Sequence, residues 1–153
     1  MQGEAHLLRQ FLTDLANNKA SEHLDNITED CEIHVCLGNQ MFTDSYSATF
    51  VGKAGVMNFI QAWDKFLDEV KIHFEEFVSE KGKVVARGEL KCHLKLSEHY
   101  WSANWMQICS FNNGKILKLR IFSDFQPSIL SSRMDPVAKG EVSEEKILPI
   151  HRH

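Results

Sequence analysis

The chain has 153 residues, 43% hydrophobic and 25% charged, and its 17 basic against 21 acidic side chains give a formal net charge of −4. That length supports one compact domain with a real core, and an acidic balance with no basic stripe argues against a nucleic-acid partner. No apolar run approaches the roughly 20 residues of a membrane-spanning helix, and the opening Met1-Gln2-Gly3-Glu4-Ala5-His6 carries an acid and no apolar signal core, so neither a membrane-spanning helix nor a secretory leader is expected.

Leu7, Leu8, Phe11, Leu12 and Leu15 recur at helical spacing and predict an amphipathic helix over residues 4–17, closed by Asn17-Asn18. Ser21 is placed to cap a short second helix containing His23 and Leu24. A short strand is expected over 32–37, a polar loop over 38–48, and an extended segment over 46–51. Gly52 then precedes a second strong helix with Val56, Phe59, Ile60, Trp63 and Phe66 on one face.

The last half reads as one curved antiparallel sheet, with strands over about 69–79, 83–97, 100–112 and 115–126. Lys81-Gly82-Lys83 turns the first hairpin. From Val84 onward, Ala86, Gly88, Leu90, Cys92, Leu94 and Leu96 share one face, and Arg87, Glu89, Lys91, His93 and Lys95 the other. Gly88 in mid-strand signals a bulge or a sharp bend. The next strand puts Trp101, Ala103, Trp105, Gln107, Cys109 and Phe111 on one side, and Asn112-Asn113-Gly114 then reverses the chain. The fold expected is α+β: a cone-shaped, curved antiparallel sheet packed on about three N-terminal helices, occupying residues 1–128. Residues 129–153, with Ser131-Ser132, Pro136, Gly140 and a closing Ile147-Leu148-Pro149-Ile150, read as a tail.

A bent sheet over helices leaves a hollow in which ligands tend to bind. Phe11, Phe59, Trp63, Trp101 and Trp105 should converge there, either as core filling or as the lining of a pocket for a flat or aliphatic molecule, with Gln107 as its orienting polar group. Val35, Leu119 and Ile121 complete that apolar wall. Cys31, Cys36, Cys92 and Cys109 form no CxxC pair, so free, partly buried thiols in a reducing, cytoplasmic setting are expected and no structural zinc site. The eight histidines show no HExxH spacing, so neither a metal nor another cofactor is implied. His34 on the first strand is suited to general-base work near neutral pH, or is simply a satisfied, half-buried side chain.

The order of helix, short helix, short strand, helix and four-stranded meander resembles the nuclear transport factor 2-like fold. It is most similar to SnoaL-like domains, ketosteroid isomerase and limonene epoxide hydrolase. Three patterns carry the resemblance over roughly residues 5–128: Ile27-Thr28-Glu29-Asp30-Cys31-Glu32-Ile33, Phe50-Val51-Gly52-Lys53 followed by Val56 and Phe59, and Gly114-Lys115-Ile116-Leu117 with Arg120 and Asp124. Ketosteroid isomerases use a tyrosine and a neutral acid as an oxyanion hole and a second acid as base. Phe11, Gln107 and Val35 stand at those positions, and neither Phe11 nor Val35 can do that chemistry. Arg87-Gly88-Glu89 and Asp124 resemble the arginine–aspartate set of the epoxide hydrolases, but the water-positioning places fall at the apolar Ile33 and Val35. Arg87 and Glu89 also lie on a charged face suited to cross-strand ion pairs. SnoaL-type cyclases place an acid where Asp124 stands; the plainer reading of Asp124 is a strand-end cap or a partner of Arg120 or Arg133.

What the resemblance implies is a hydrophobic small-molecule-binding protein, homodimeric through one sheet face. The alternatives are an acid–base enzyme using Asp124 or His34, and a protein–protein module. The fold alone does not choose among them.

Overall fold

A computed structural model describes residues 2–38, 45–95, 98 and 100–124. The expected tail, Arg133, Leu96, most of the polar loop and the end of the final strand lie outside the described residues. The order is helix α1 (Gln2–Ala16), a 3-10 helix (Ala20–Asn26), strands β1 (Ile27–Gly38) and β2 (Ser45–Val51), helix α2 (Gly52–Phe66), and strands β3 (Leu67–Glu80), β4 (Lys83–Leu94), β5 (Tyr100–Asn112) and β6 (Lys115–Ser123).

The six strands form one curved, unclosed sheet in the order β2-β1-β6-β5-β4-β3. The α+β class holds, but the sheet is mixed rather than antiparallel throughout. β1 lies parallel to β6, pairing Ile33 with Leu119 and Val35 with Ile121, while every other neighbouring pair is antiparallel. A hairpin announces itself by its turn, whereas a pairing between the first strand and the last has no local signal.

Helix α1 stops where Asn18 adopts φ 61°, and the Lys19 N–H bonds back to the Asp14 carbonyl at 2.7 Å. This is the left-handed ending that asparagine tolerates. Ser21 does not cap the 3-10 helix: Lys19 occupies the N-cap position and makes no side-chain cap bond. At the β5–β6 turn, Asn113 and Gly114 have φ 53° and 78°, the two positive angles of a type I′ turn.

The helices cover one face of the sheet. Leu8, Leu12, Leu15, Ile33, Ile60, Val56, Val84 and Leu119 are fully buried there, each contributing about 1.5–3 kcal/mol of transfer free energy at most. The expected alternation of β4 and β5 is present, with neighbours more exposed than the inward residues, although the inward Leu90 and Trp101 are only half-buried. Trp101 packs with Cys92, Leu94 and Ala103 rather than converging with Phe11, Phe59, Trp63 and Trp105. Gly88 sits where the β3–β4 register slips between Phe74 and Glu76. The irregularity is in the partner strand, and β3 comes so close that a Cβ on Gly88 would overlap the His73 carbonyl oxygen. Only glycine fits that approach.

Candidate functional site

The inner face gathers most of the residues expected to bind a ligand. Phe11 from α1, Phe59 from α2, Val35 from β1, Trp105 from β5, and Leu119 and Ile121 from β6 belong to one buried cluster, with Trp63 packed against it. Ring contacts run through it: Phe50 to Phe59 at 5.6 Å, Phe59 to Trp63 at 6.2 Å, and Phe74 edge-on to Trp105 at 5.9 Å. Arg9 lies over Phe74 and Phe77, 4.4 and 5.0 Å from the ring centres. Gln107, 7% exposed, stands between Trp105 and Cys109 on the inward side and pairs with Ala86 and Ile121 across the ladders.

Three polar atoms in this apolar setting have no hydrogen-bond partner: Gln107 Oε1, Trp105 Nε1 and Trp63 Nε1. Buried polar atoms in folded proteins are nearly always paired, and each orphan costs about 1–3 kcal/mol. Gln107 and Asp14 are the buried polar or charged side chains among the described residues. Asp14 accepts from Gln10 at 3.0 Å and lies 3.2 Å from His23 Nε2, so it is held at the junction of α1 and the 3-10 helix.

His34 and Asp124 lie elsewhere. His34 alternates with the buried Ile33 and Val35 and so points to the outer face, where Nε2 meets Glu32 at 2.9 Å and Nδ1 meets Thr49 at 3.2 Å. Asp124 is exposed and clamps Asn104, accepting its backbone N–H at 2.9 Å and its side-chain amide at 3.1 Å. Asp124 takes Asn104 rather than Arg120, while the charged face carries the cross-strand ion pairs expected of it, Arg87 reaching Glu75 at 2.6 Å and Glu76 at 2.8 Å on β3. The outer face also carries Val78 and Met106, 46% and 39% exposed, near the half-buried Ile108 and Phe122.

All four cysteines are free, with Cys31, Cys92 and Cys109 buried and Cys36 half-buried. Burial pushes the Cys31 and Cys92 thiols up to about 11, helped by Asp30 and Glu32 at Cys31 and by Asp68 at Cys92. Cys109 is raised further still, chiefly by burial. Thiolate chemistry at these positions is therefore suppressed.

One group has no local signal in the sequence. At one end of the outer face, His93 Nδ1 meets Asp68 at 2.6 Å, and the Tyr100 hydroxyl donates to Glu69 at 3.0 Å. The bond to Glu69 raises the Tyr100 pKa above the ordinary phenol value. Beside them opens a groove of about 300 Å³ lined by Glu69, Lys71, Lys91, Cys92, Tyr100, Trp101 and Ser102. A strand irregularity assembles this group, and period-two reasoning cannot anticipate it.

Residues 8–119 match the SnoaL-like domain family, and the chain belongs to it. Solved structures agree on the fold. A nuclear transport factor 2-like protein from Burkholderia xenovorans is 17% identical, covering 88% of this chain and 97% of its own, with a TM-score of 0.65. A candidate SnoaL-like polyketide cyclase from a Jannaschia species is 10% identical, with 88% and 94% coverage and a TM-score of 0.69. A hypothetical protein with a ketosteroid isomerase-like fold from Catenulispora acidiphila, solved with trimethylamine, is 9% identical, with 75% and 82% coverage and a TM-score of 0.61. A comparison with functionally curated proteins gives no match. No described helix is long and apolar enough to cross a membrane.

Proposed function

We propose that this SnoaL-like domain binds a hydrophobic small molecule between its helices and the inner face of its sheet. The observation that carries this reading is the set of three unpartnered atoms, Gln107 Oε1, Trp105 Nε1 and Trp63 Nε1, among apolar side chains. Their combined cost is a large fraction of the 5–15 kcal/mol by which a domain of this kind is stable. A ligand relieves it by accepting from the two indoles and donating to the glutamine oxygen, which describes a molecule with an apolar body and a few hydroxyl or carbonyl groups.

The same reading makes the inner face a binding surface rather than a seat of proton transfer. Its buried polar member, Gln107, does not titrate. The acid–base alternative has one specific support, the flanking of His34 by Glu32 and Thr49, which is the arrangement of an oriented base. That reaction would take place on the outer face, and His34→Gln would abolish it. The outer face fits better as the contact with a second copy of the chain, since Val78 and Met106 leave apolar surface open there.

A thermal-shift screen of hydroxylated and ketonic apolar compounds tests the binding reading. A ligand at about 100 times its Kd adds about 2.7 kcal/mol of stability, and Gln107→Met should reduce that shift. A screen in which every shift is equal in Gln107→Met and the native chain would remove Gln107 from the site.

A further inference from the structure

We propose that Asp68, Glu69 and His93 form a divalent-cation site at the end of the outer face, with the adjoining groove holding the ion's remaining ligands. Their ligating atoms all lie within 4.8 Å of one another. Three atoms bound to one ion at about 2.0–2.2 Å stand about 3.3–3.6 Å apart in a tetrahedral site, so closing on an ion shortens each separation by up to about 1.5 Å.

The backbone is arranged to bring these groups together. The ladder runs from the pair Asp68–His93 directly to Lys71–Lys91, leaving Glu69 and Val70 opposite Cys92 alone. Glu69 takes φ 51° within this irregularity. In a regular strand Asp68 and Glu69 would point to opposite faces; here both carboxylates approach the same imidazole. His93 pairs in turn with Tyr100 on β5, and the Tyr100 hydroxyl holds the Glu69 carboxylate at 3.0 Å. That is an outer-shell contact of the kind that orients a metal ligand.

The groove is a separate observation. It shares Glu69 with the cluster, is lined also by Tyr100, and opens to solvent with about 300 Å³ of space, so the ion's open positions would face free volume rather than protein. One imidazole nitrogen with two carboxylate oxygens suits a borderline ion such as Zn²⁺ or Co²⁺ better than Ca²⁺. Lys71 and Lys91 on the groove wall oppose the cation and keep its affinity moderate.

Titration of the 153-residue chain with Co²⁺, followed by visible absorption, tests the site. The native chain should give saturable ligand-field bands with a Kd below about 100 µM. His93→Ala and Asp68→Asn should each weaken binding by about tenfold or more, whereas His151→Ala/His153→Ala should leave the bands intact. Lys91→Ala removes an opposing charge and should tighten binding by about two- to fivefold, a gain that misfolding cannot imitate. Absence of saturable bands, bands that survive His93→Ala, or no tightening in Lys91→Ala would each overturn the assignment.

Discussion

Trp105 and Met106 are neighbours on β5 and face opposite ways. Trp105 is 7% exposed, with Phe74 against its ring and its indole nitrogen unpartnered; Met106 is 39% exposed beside the Arg87 ion pairs. The contrast extends across the sheet. The inner face is apolar with a few orphaned polar atoms, whereas the outer face is polar and largely satisfied: Asp124 holds Asn104, and His34 lies between Glu32 and Thr49. A face whose polar groups already have partners within the chain has little unmet demand for an uncharged organic ligand. A face with unpaired donors and acceptors in an apolar surround has such a demand, and the proposal of a small molecule on the inner side rests on that difference.

The largest expected effect is at the centre of the inner face. Trp105→Ala should destabilise the chain by about 3–5 kcal/mol, read as a lower midpoint in urea at unchanged slope. A loss comparable to that of Met106→Ala would break the comparison. Gly88→Ala comes next, at about 1–3 kcal/mol, because its Cβ would overlap the His73 carbonyl oxygen. Met106→Glu should change monomer stability by less than about 0.5 kcal/mol but shift a homodimer to monomer in analytical ultracentrifugation. A dimer that survives the charge would place the contact away from this face.

The thiols give the smallest effect and sharpen the comparison by pH. Cys31 and Cys92 have folded pKa values of about 11 against an ordinary 9.0. The folded state therefore favours the thiol, and that contribution is complete below pH 9 and is lost as the pH rises toward 11. Stability should fall across this window, less steeply in Cys31→Ala/Cys92→Ala. At pH 8, iodoacetamide should modify Cys36 first, since it is the cysteine that is not buried.

Much of this contrast was legible in the sequence. The alternation over 101–111 set Trp105 and Gln107 inward, and Asn113-Gly114 marked the final turn, because both signals are local. The helical face from Val56 to Phe66 was equally plain. Non-local features were not. The first strand's parallel place beside β6 depends on the whole topology. The early part of β1, where Thr28, Glu29 and Asp30 dilute the apolar pattern, did not read as strand. The sequence offers Asp124 arginine partners, yet its partner is Asn104, set by the β5–β6 register. The Asp68–Glu69–His93 group depends on an irregular ladder that no periodicity announces. Burial of Gln107 followed from parity, but the unpaired state of its oxygen did not.

Gln107→Met tests the central claim most directly, by thermal denaturation alongside native mass spectrometry of the freshly purified chain and release of whatever it carries. If Gln107 is kept for a ligand, an apolar side chain of similar size removes an orphaned oxygen. The variant should then be as stable as the ligand-free native chain or up to about 1 kcal/mol more stable, while a small organic molecule retained by the native chain is lost. An empty native chain, together with a Gln107→Met variant less stable than it by about 1 kcal/mol or more, would contradict the account.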